Sequence, residues 1–167
     1  MSEWHIRFGT AGTSDSFEAK GYKSSLDIPA YTAEMGLDAF EYQCGHGVRL
    51  GVDKRITPCI DFGHLNARTL GGIQSKADYA AILDRMDEVL GDERARRFHV
   101  HFSRIEFSAG GEKRHWTFAE TQFGPEPQPL MELLAERRLE PVVICESAGT
   151  QAEDAQAMQR MYEAARG

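Results

Sequence analysis

Thiol chemistry has little to work with in this chain. It contains three cysteines, Cys44, Cys59 and Cys145, an odd number, widely spaced and without a CxxC pair. That excludes a disulfide framework and a thiolate zinc site. Each sits in an apolar, strand-like run, so all three read as small buried hydrophobes. No stretch approaches the ~20 apolar residues of a membrane span, so no membrane partner is expected. Met1-Ser2-Glu3-Trp4-His5 lacks the basic start and apolar core of a signal peptide, and the default expectation is a cytoplasmic protein. Positive charge is also short: 19 Lys and Arg stand against 26 Asp and Glu, a net charge of −7. The global balance therefore lacks the basic footprint of a nucleic-acid binder. A local cation cluster or a bound metal in a carboxylate-rich cleft would change the potential there. A Walker loop, a nucleophile elbow and HExxH are all missing, and Gly9 with Gly12 does not make a GxGxxG fingerprint. Ser103 and Ser147 have no specific spacing to a base, which argues against a Ser-His-Asp triad.

What is present is the grammar of an α/β domain. At 167 residues, 41% hydrophobic and 27% charged, the chain reads as one globular domain over 1–167. Ile6–Gly12 predicts a first strand and its loop. Asp27 with Pro29 opens a helix ended by Gly36, and Ala39–Cys44 is a second strand. A third strand, Ile56–Phe62, follows after Gly45–Arg55, with no room for the crossover helix that parallel neighbours need. Either the two strands are not neighbours or a segment has been lost. Ser75 and Asp78 form a capping box for a helix carrying Tyr79, Ile82, Leu83, Met86, Val89 and Leu90 on one stripe, ended by Gly91. Phe98–Phe107 alternates as a fourth strand, and Ser108–Trp116 reads as a glycine-rich loop. Pro129–Leu139 is helical, with Leu130, Leu133 and Leu134 inward. Pro141–Glu146 is a fifth, nearly continuous apolar strand. Thr150 and Glu153 resemble a second capping box, opening a helix with Ala155, Met158 and Tyr162 on one face. This repetition predicts about five largely parallel strands with helices outside.

Polar groups gather where these strands end. Asp61 and His64 follow the third strand, His101 lies in the fourth, His115 in the loop after it, and Glu146 closes the fifth. In a parallel sheet those ends share one side, so residues far apart in sequence can converge. Carboxylate oxygen and imidazole nitrogen are the donor set of Zn, Mn or Fe. Other roles stay open at this point. Asp61 could cap the turn through backbone N–H groups, and Glu146 could pair with Arg104 or Lys113. His99 reads as a core histidine, His5 and His46 as surface residues, and Glu41 and Glu106 as weaker site candidates.

Several runs match a known family in order. Phe8-Gly9-Thr10-Ala11-Gly12, Gly21-Tyr22-Lys23-Ser24-Ser25-Leu26-Asp27-Ile28-Pro29 and Gly36-Leu37-Asp38-Ala39-Phe40-Glu41-Tyr42-Gln43 resemble the start of endonuclease IV-type proteins. These are the family 2 apurinic/apyrimidinic endonucleases, among the xylose isomerase-like TIM barrels. From Ile60-Asp61-Phe62-Gly63-His64 to Glu146-Ser147-Ala148-Gly149 the chain is similar to their last three βα units. The resemblance implies a (β/α)₈-type fold with a zinc site at the strand ends, and hydrolysis of DNA on the 5′ side of an abasic site. It assigns Asp61, His64, His101, His115 and Glu146 as metal ligands, with Asp61 and Glu146 also acting in catalysis. One or two zinc (or manganese) ions are implied, and Arg68, Arg104, Lys113 and Arg114 as contacts to DNA phosphate.

Two departures follow from the same comparison. The family has Asp two residues before its loop His, and here that position is Lys113; Glu112, one residue earlier, could substitute if the loop shifts. The third to fifth βα units have no counterpart, nor do the two His and the bridging Glu they carry. At about 30 residues per unit, their loss accounts for a chain shorter than the ~250 residues of such barrels. The junction falls near 45–55, where the family's strand two would meet its strand six. Two open sheet edges then invite self-association. A metal-dependent phosphodiesterase and a non-catalytic, internally deleted barrel are thus both consistent with the sequence, with sugar isomerase chemistry behind them.

Overall fold

A computed structural model describes residues 5–24, 27–41, 58–91 and 93–167. In chain order its first elements are β1 (Arg7–Ala11), α1 (Ser16–Ala19), α2 (Ile28–Glu34), β2 (Ala39–Glu41), β3 (Cys59–Asp61), α3 (Phe62–Arg68) and α4 (Lys76–Leu90). They are followed by α5 (Glu93–Arg96), β4 (His99–Phe102), β5 (Arg104–Ser108), β6 (Gly111–Trp116), α6 (Pro127–Glu136), β7 (Val142–Cys145) and α7 (Gln151–Arg166). Five strands form one sheet in the order β2-β1-β7-β4-β3, and every pairing is parallel. The first and last strands are hydrogen-bonded neighbours, as in a closing barrel. A five-stranded parallel sheet flanked by helices, paired in this order, is a partial β/α barrel.

The order also disposes of the missing crossover. Among the described residues β2 and β3 stand at opposite ends of the sheet, so they are not neighbours and need no helix between them. Residues 42–57, with Cys44, His46, Ile56, Thr57 and the expected junction, lie outside the described residues, as do Ser25 and Leu26.

One face of the sheet is sealed by helices. Along β4, Val100 and Phe102 are fully buried while His99 and His101 point to the opposite, half-buried face, the period-2 alternation of a pleated strand. Phe8, Val143 and Cys145 join Val100 and Phe102 in a core completed by Phe62, Tyr79, Leu83, Leu130, Leu134, Ala155, Met158 and Tyr162. Each such large apolar side chain contributes about 1.5–3 kcal/mol relative to exposure. The Ser75–Asp78 box forms: the Asp78 carboxylate accepts from the Ser75 N–H and hydroxyl, both at 2.8 Å. Gly91 closes α4 with φ 56°, a left-handed value that glycine adopts without Cβ strain. Leu130, Leu133 and Leu134 face inward as expected.

Other expectations fail for identifiable reasons. The Thr150–Glu153 box is replaced by a bond from Thr150 Oγ1 to Asp154 Oδ2 at 2.8 Å, and the same oxygen accepts the Phe118 N–H at 2.9 Å. Val89 lies past the packed part of its helix and is exposed. The expected strand Phe98–Phe107 breaks at Ser103, because Phe102 is the last residue paired to β7. Beyond the break, β5 and β6 form a separate antiparallel hairpin, so Ser108–Trp116 is largely strand rather than loop. Cys145 is buried, with its thiol pushed up to about 12 by burial. Cys59, by contrast, is exposed. Among the described residues β3 is an edge strand, and Cys59 is paired with His99 on the face away from the helices.

Alkylation of the native protein followed by peptide mapping should therefore modify Cys59 within minutes and leave Cys145 unmodified until the fold is denatured.

Candidate metal centre

The site begins where β3 becomes α3. Asp61 is the last strand residue and the N-cap of the helix, with Oδ1 accepting the His64 N–H at 2.8 Å. The Asp-x-x-His spacing is thus the spacing of a capped first turn. The same turn brings the His64 ring back, so that Nδ1 lies 2.5 Å from Asp61 Oδ2. Capping and site formation are served by one carboxylate, and the Asp61–His64 segment is helix rather than loop.

Sheet register supplies the next two groups. Asp61 is directly across from His101, and His101 across from Ile144. Glu146 follows two residues later, anchored by its N–H to the Phe102 carbonyl at 2.9 Å. His101 Nδ1 stands 3.3 Å from Glu146 Oε1 and 3.8 Å from Asp61 Oδ2. The hairpin contributes His115, which lies in β6 instead of the expected loop; its ring meets that of His64 edge-on, with centroids 5.1 Å apart.

Two donor groups result. Asp61, His101 and Glu146 form one and His64, His115 and Glu146 the other, with one donor atom from each residue within 4.8 Å of its group. At ligand bonds of about 2.0–2.2 Å, two donors on one ion stand no more than about 4.4 Å apart. Only small side-chain movements separate either group from a coordination shell, and mixed O and N donors suit a divalent metal. Glu146 belongs to both. Of these residues His115 and Glu146 line a cleft of about 600 Å³, together with Glu112, Lys113, Arg114, Glu120 and Gln151.

Glu112 adds a further carboxylate. Its Oε2 lies 2.9 Å from His64 Nε2, and its Oε1 3.6 Å from His115 Nε2. The cause is a bulge: Glu106 pairs with Arg114 but Phe107 pairs with Glu112, which leaves Lys113 without an opposite residue. An extra residue in one strand breaks the alternation and re-aims the side chains beside it. Glu112 and His115 therefore converge, and Lys113 turns aside to Glu106 Oε1 at 3.1 Å. A GEKRH string carries no mark of a bulge, which is why its position escapes sequence reading.

The expected phosphate contacts divide. Arg68 is exposed in the last turn of α3. Lys113 and Arg114 reach the cleft wall, both bonded to Glu106, with Arg114 also stacked 4.8 Å from the Trp116 ring centroid. Arg104 is a correction. Its side chain is 5% exposed and is held by Glu126 at 2.6 Å and by the Phe123 carbonyl at 2.8 Å. It braces the loop before α6 and has no open path to a phosphate. Neither Arg104 nor Lys113 is thus the partner Glu146 required. Glu106 is taken up by Lys113, Arg114 and Trp116, and His99 stacks edge-on against His101 at 5.5 Å but belongs to neither donor group. His5 is a surface residue, 3.5 Å from Asp38. The side chain of Glu41 lies outside the description.

Burial, and then the neighbouring His64, hold the His115 imidazolium below the ordinary value of 6.5. The ring is neutral, and so able to ligate, at neutral pH. A depressed folded value means that the fold resists taking this proton. Its contribution to stability is complete above about 6.5 and declines as pH falls from there toward the folded value. Urea midpoints between about pH 7.5 and 5 should fall less steeply in a His115→Asn variant than in the parent protein.

No protein-family model matches the chain, and no solved structure matches it. The chain is 36% identical over 100 residues to an uncharacterized protein of Methanocaldococcus jannaschii. The matched stretch covers 60% of this chain and 36% of that protein, so the chain spans little more than a third of the length of the curated relative it matches.

Proposed function

We propose that this chain is a divalent-metal phosphodiesterase of the endonuclease IV type, acting on DNA at abasic sites. The observation that carries the reading is the pair of donor groups sharing Glu146 at the carboxyl ends of parallel strands. Their members are the residues that the resemblance assigns as ligands.

Asp61, His101 and Glu146 would hold one ion, and His64, His115 and Glu146, with Glu112 beside them, the other. Zinc is the ion proposed, with manganese the alternative that the same donors suit. When bound, such ions polarise a phosphoryl oxygen and lower the pKa of a water. The chain's own residues do the remainder. Asp61 would accept from His64 Nδ1–H, and Nε2, 2.9 Å from Glu112 Oε2, would turn from that carboxylate to the ion. Glu146 links the two groups, so that both follow one strand end. Lys113 and Arg114 bring positive charge to a cleft whose protein is otherwise acidic, and a phosphodiester entering there would compete with Glu106 for them. Arg68, in the last turn of α3, is the further cation that the resemblance assigns to phosphate. Abasic DNA is the substrate class in keeping with the resemblance.

A specific feature keeps a second reading alongside: a non-catalytic, internally deleted barrel. β2 and β3 have three residues each and no further strand partner among the described residues. Open edges favour a homo-oligomer, and sedimentation at micromolar concentration should then give a mass above 18.7 kDa; a monomeric mass would remove that part of the reading.

Purified protein should carry one to two equivalents of zinc by elemental analysis. His101→Ala should lose about one, and Glu146→Ala should lose both. An abasic-site duplex should be cleaved, with activity abolished by chelation and restored by zinc. Bound metal without cleavage would favour the non-catalytic barrel. Metal content that is absent, and unaffected by either substitution, would refute the site itself.

A further inference from the structure

Each imidazole that binds a cation through one nitrogen presents its other nitrogen to a partner, and that partner selects the tautomer. The two histidines that share the second donor group differ in this respect. His64 Nδ1 faces Asp61 Oδ2. An ionised carboxylate only accepts, so Asp61 favours a proton on Nδ1, and Glu112 Oε2, 2.9 Å from Nε2, is a second acceptor that a cation at Nε2 would displace. His115 Nδ1 instead faces the Ser103 hydroxyl, at 2.8 Å.

Ser103 is 1% exposed and occupies the residue at which the chain leaves β4 for the hairpin. Its carbonyl lies so close to Gly63 that a Cβ there would approach it to 2.7 Å. The serine is therefore clamped between the strand and α3. Among the described residues its hydroxyl has no hydrogen-bond partner besides His115. Burial rules it out as a nucleophile for an outside substrate, yet a buried hydroxyl bonded to one ring nitrogen fixes where that ring sits. A hydroxyl can also donate or accept. It can give its proton to Nδ1 while Nε2–H points toward Glu112 Oε1, 3.6 Å away. It can equally accept from Nδ1–H, which leaves the Nε2 lone pair for a cation. The ring carries the same number of protons in both forms.

We propose that Ser103 is the positioning residue for His115, holding its ring against the His64–Glu146 group and supporting either tautomer as a divalent cation arrives or leaves. His64 lies between two carboxylates, Asp61 and Glu112, that can only accept, whereas the Ser103 hydroxyl can donate to or accept from His115. The cation part of this inference rests on the metal-site reading above, whereas the positioning of the ring does not.

The test uses the full chain with Ser103→Ala, Ser103→Thr and the volume-conserving Ser103→Cys. Cobalt(II) titration followed by visible absorption reads the cation positions. The Ala variant should bind one of two ions about 10–100-fold more weakly, with the other unchanged, while Thr restores binding and Cys falls between. Long-range proton–nitrogen NMR of the metal-free protein reads the His115 tautomer directly. Ala should shift the Nδ1–H to Nε2–H ratio and Thr should return it, with melting temperatures comparable across the set. A purely packing role would disturb both ions alike and would not be rescued by Thr; that outcome overturns the proposal. So does an Ala variant with unchanged tautomer ratio and unchanged affinity. If the parent protein binds no cobalt but the tautomer ratio still depends on the hydroxyl, the metal reading and the cation part of the proposal fail together, while Ser103 stands as the residue that positions His115.

Discussion

The Asp61 carboxylate is the group on which fold and site both depend. One oxygen caps α3 by accepting the N–H of His64, its third residue; the other aligns the His64 ring and approaches His101. Losing an N-cap alone costs about 0.5–2 kcal/mol. Here the same loss would also free the imidazole that the cap turns toward Glu112 and His115. Because the helix starts on the residue that ends the strand, no flexible loop intervenes, and the site inherits the rigidity of the sheet. This is a physical route to preorganisation: the groups are held by backbone hydrogen bonds that exist whether or not anything is bound.

The electrostatics of the cleft follow from that crowding. Three carboxylates (Asp61, Glu112 and Glu146) and three imidazoles (His64, His101 and His115) face one another across distances of 2.5–3.8 Å. Gathering like charges in a partly buried place is unfavourable unless protons or a cation compensate. Burial depresses the proton affinity of His115, so that ring is the less ready to carry a proton of its own. Carboxylates and imidazoles gathered in this way are groups that could hold a divalent ion.

Most of the architecture was legible because its signals are local and periodic. The apolar run Val142–Cys145 marked a strand buried on both faces, and Ser75–Asp78 marked a helix start. Asp61, His64, His101 and Glu146 were legible as a group because parallel strands end on one side. The misses share a cause. Ser103 breaks a strand whose alternation continues on both sides of it, so a period-2 pattern passes over the break. Arg104 reads as a contact to phosphate or a partner for Glu146, yet long-range contacts to Glu126 and Phe123 bury it. Cys59 sits in an apolar run, but its exposure depends on β3 being an edge strand, and strand order is not written in local composition.

The bulge at Lys113 carries a consequence for how this site tolerates change. The nearness of Glu112 to His64 and His115 depends on counting as well as on chemistry: one extra residue against β5 puts it on the right face. Deleting a single residue there would retain every donor in the sequence and still send one of them to the opposite side of the hairpin. Insertions and deletions in this short ribbon should therefore be more damaging than most substitutions, since the site is specified by parity as much as by residue type.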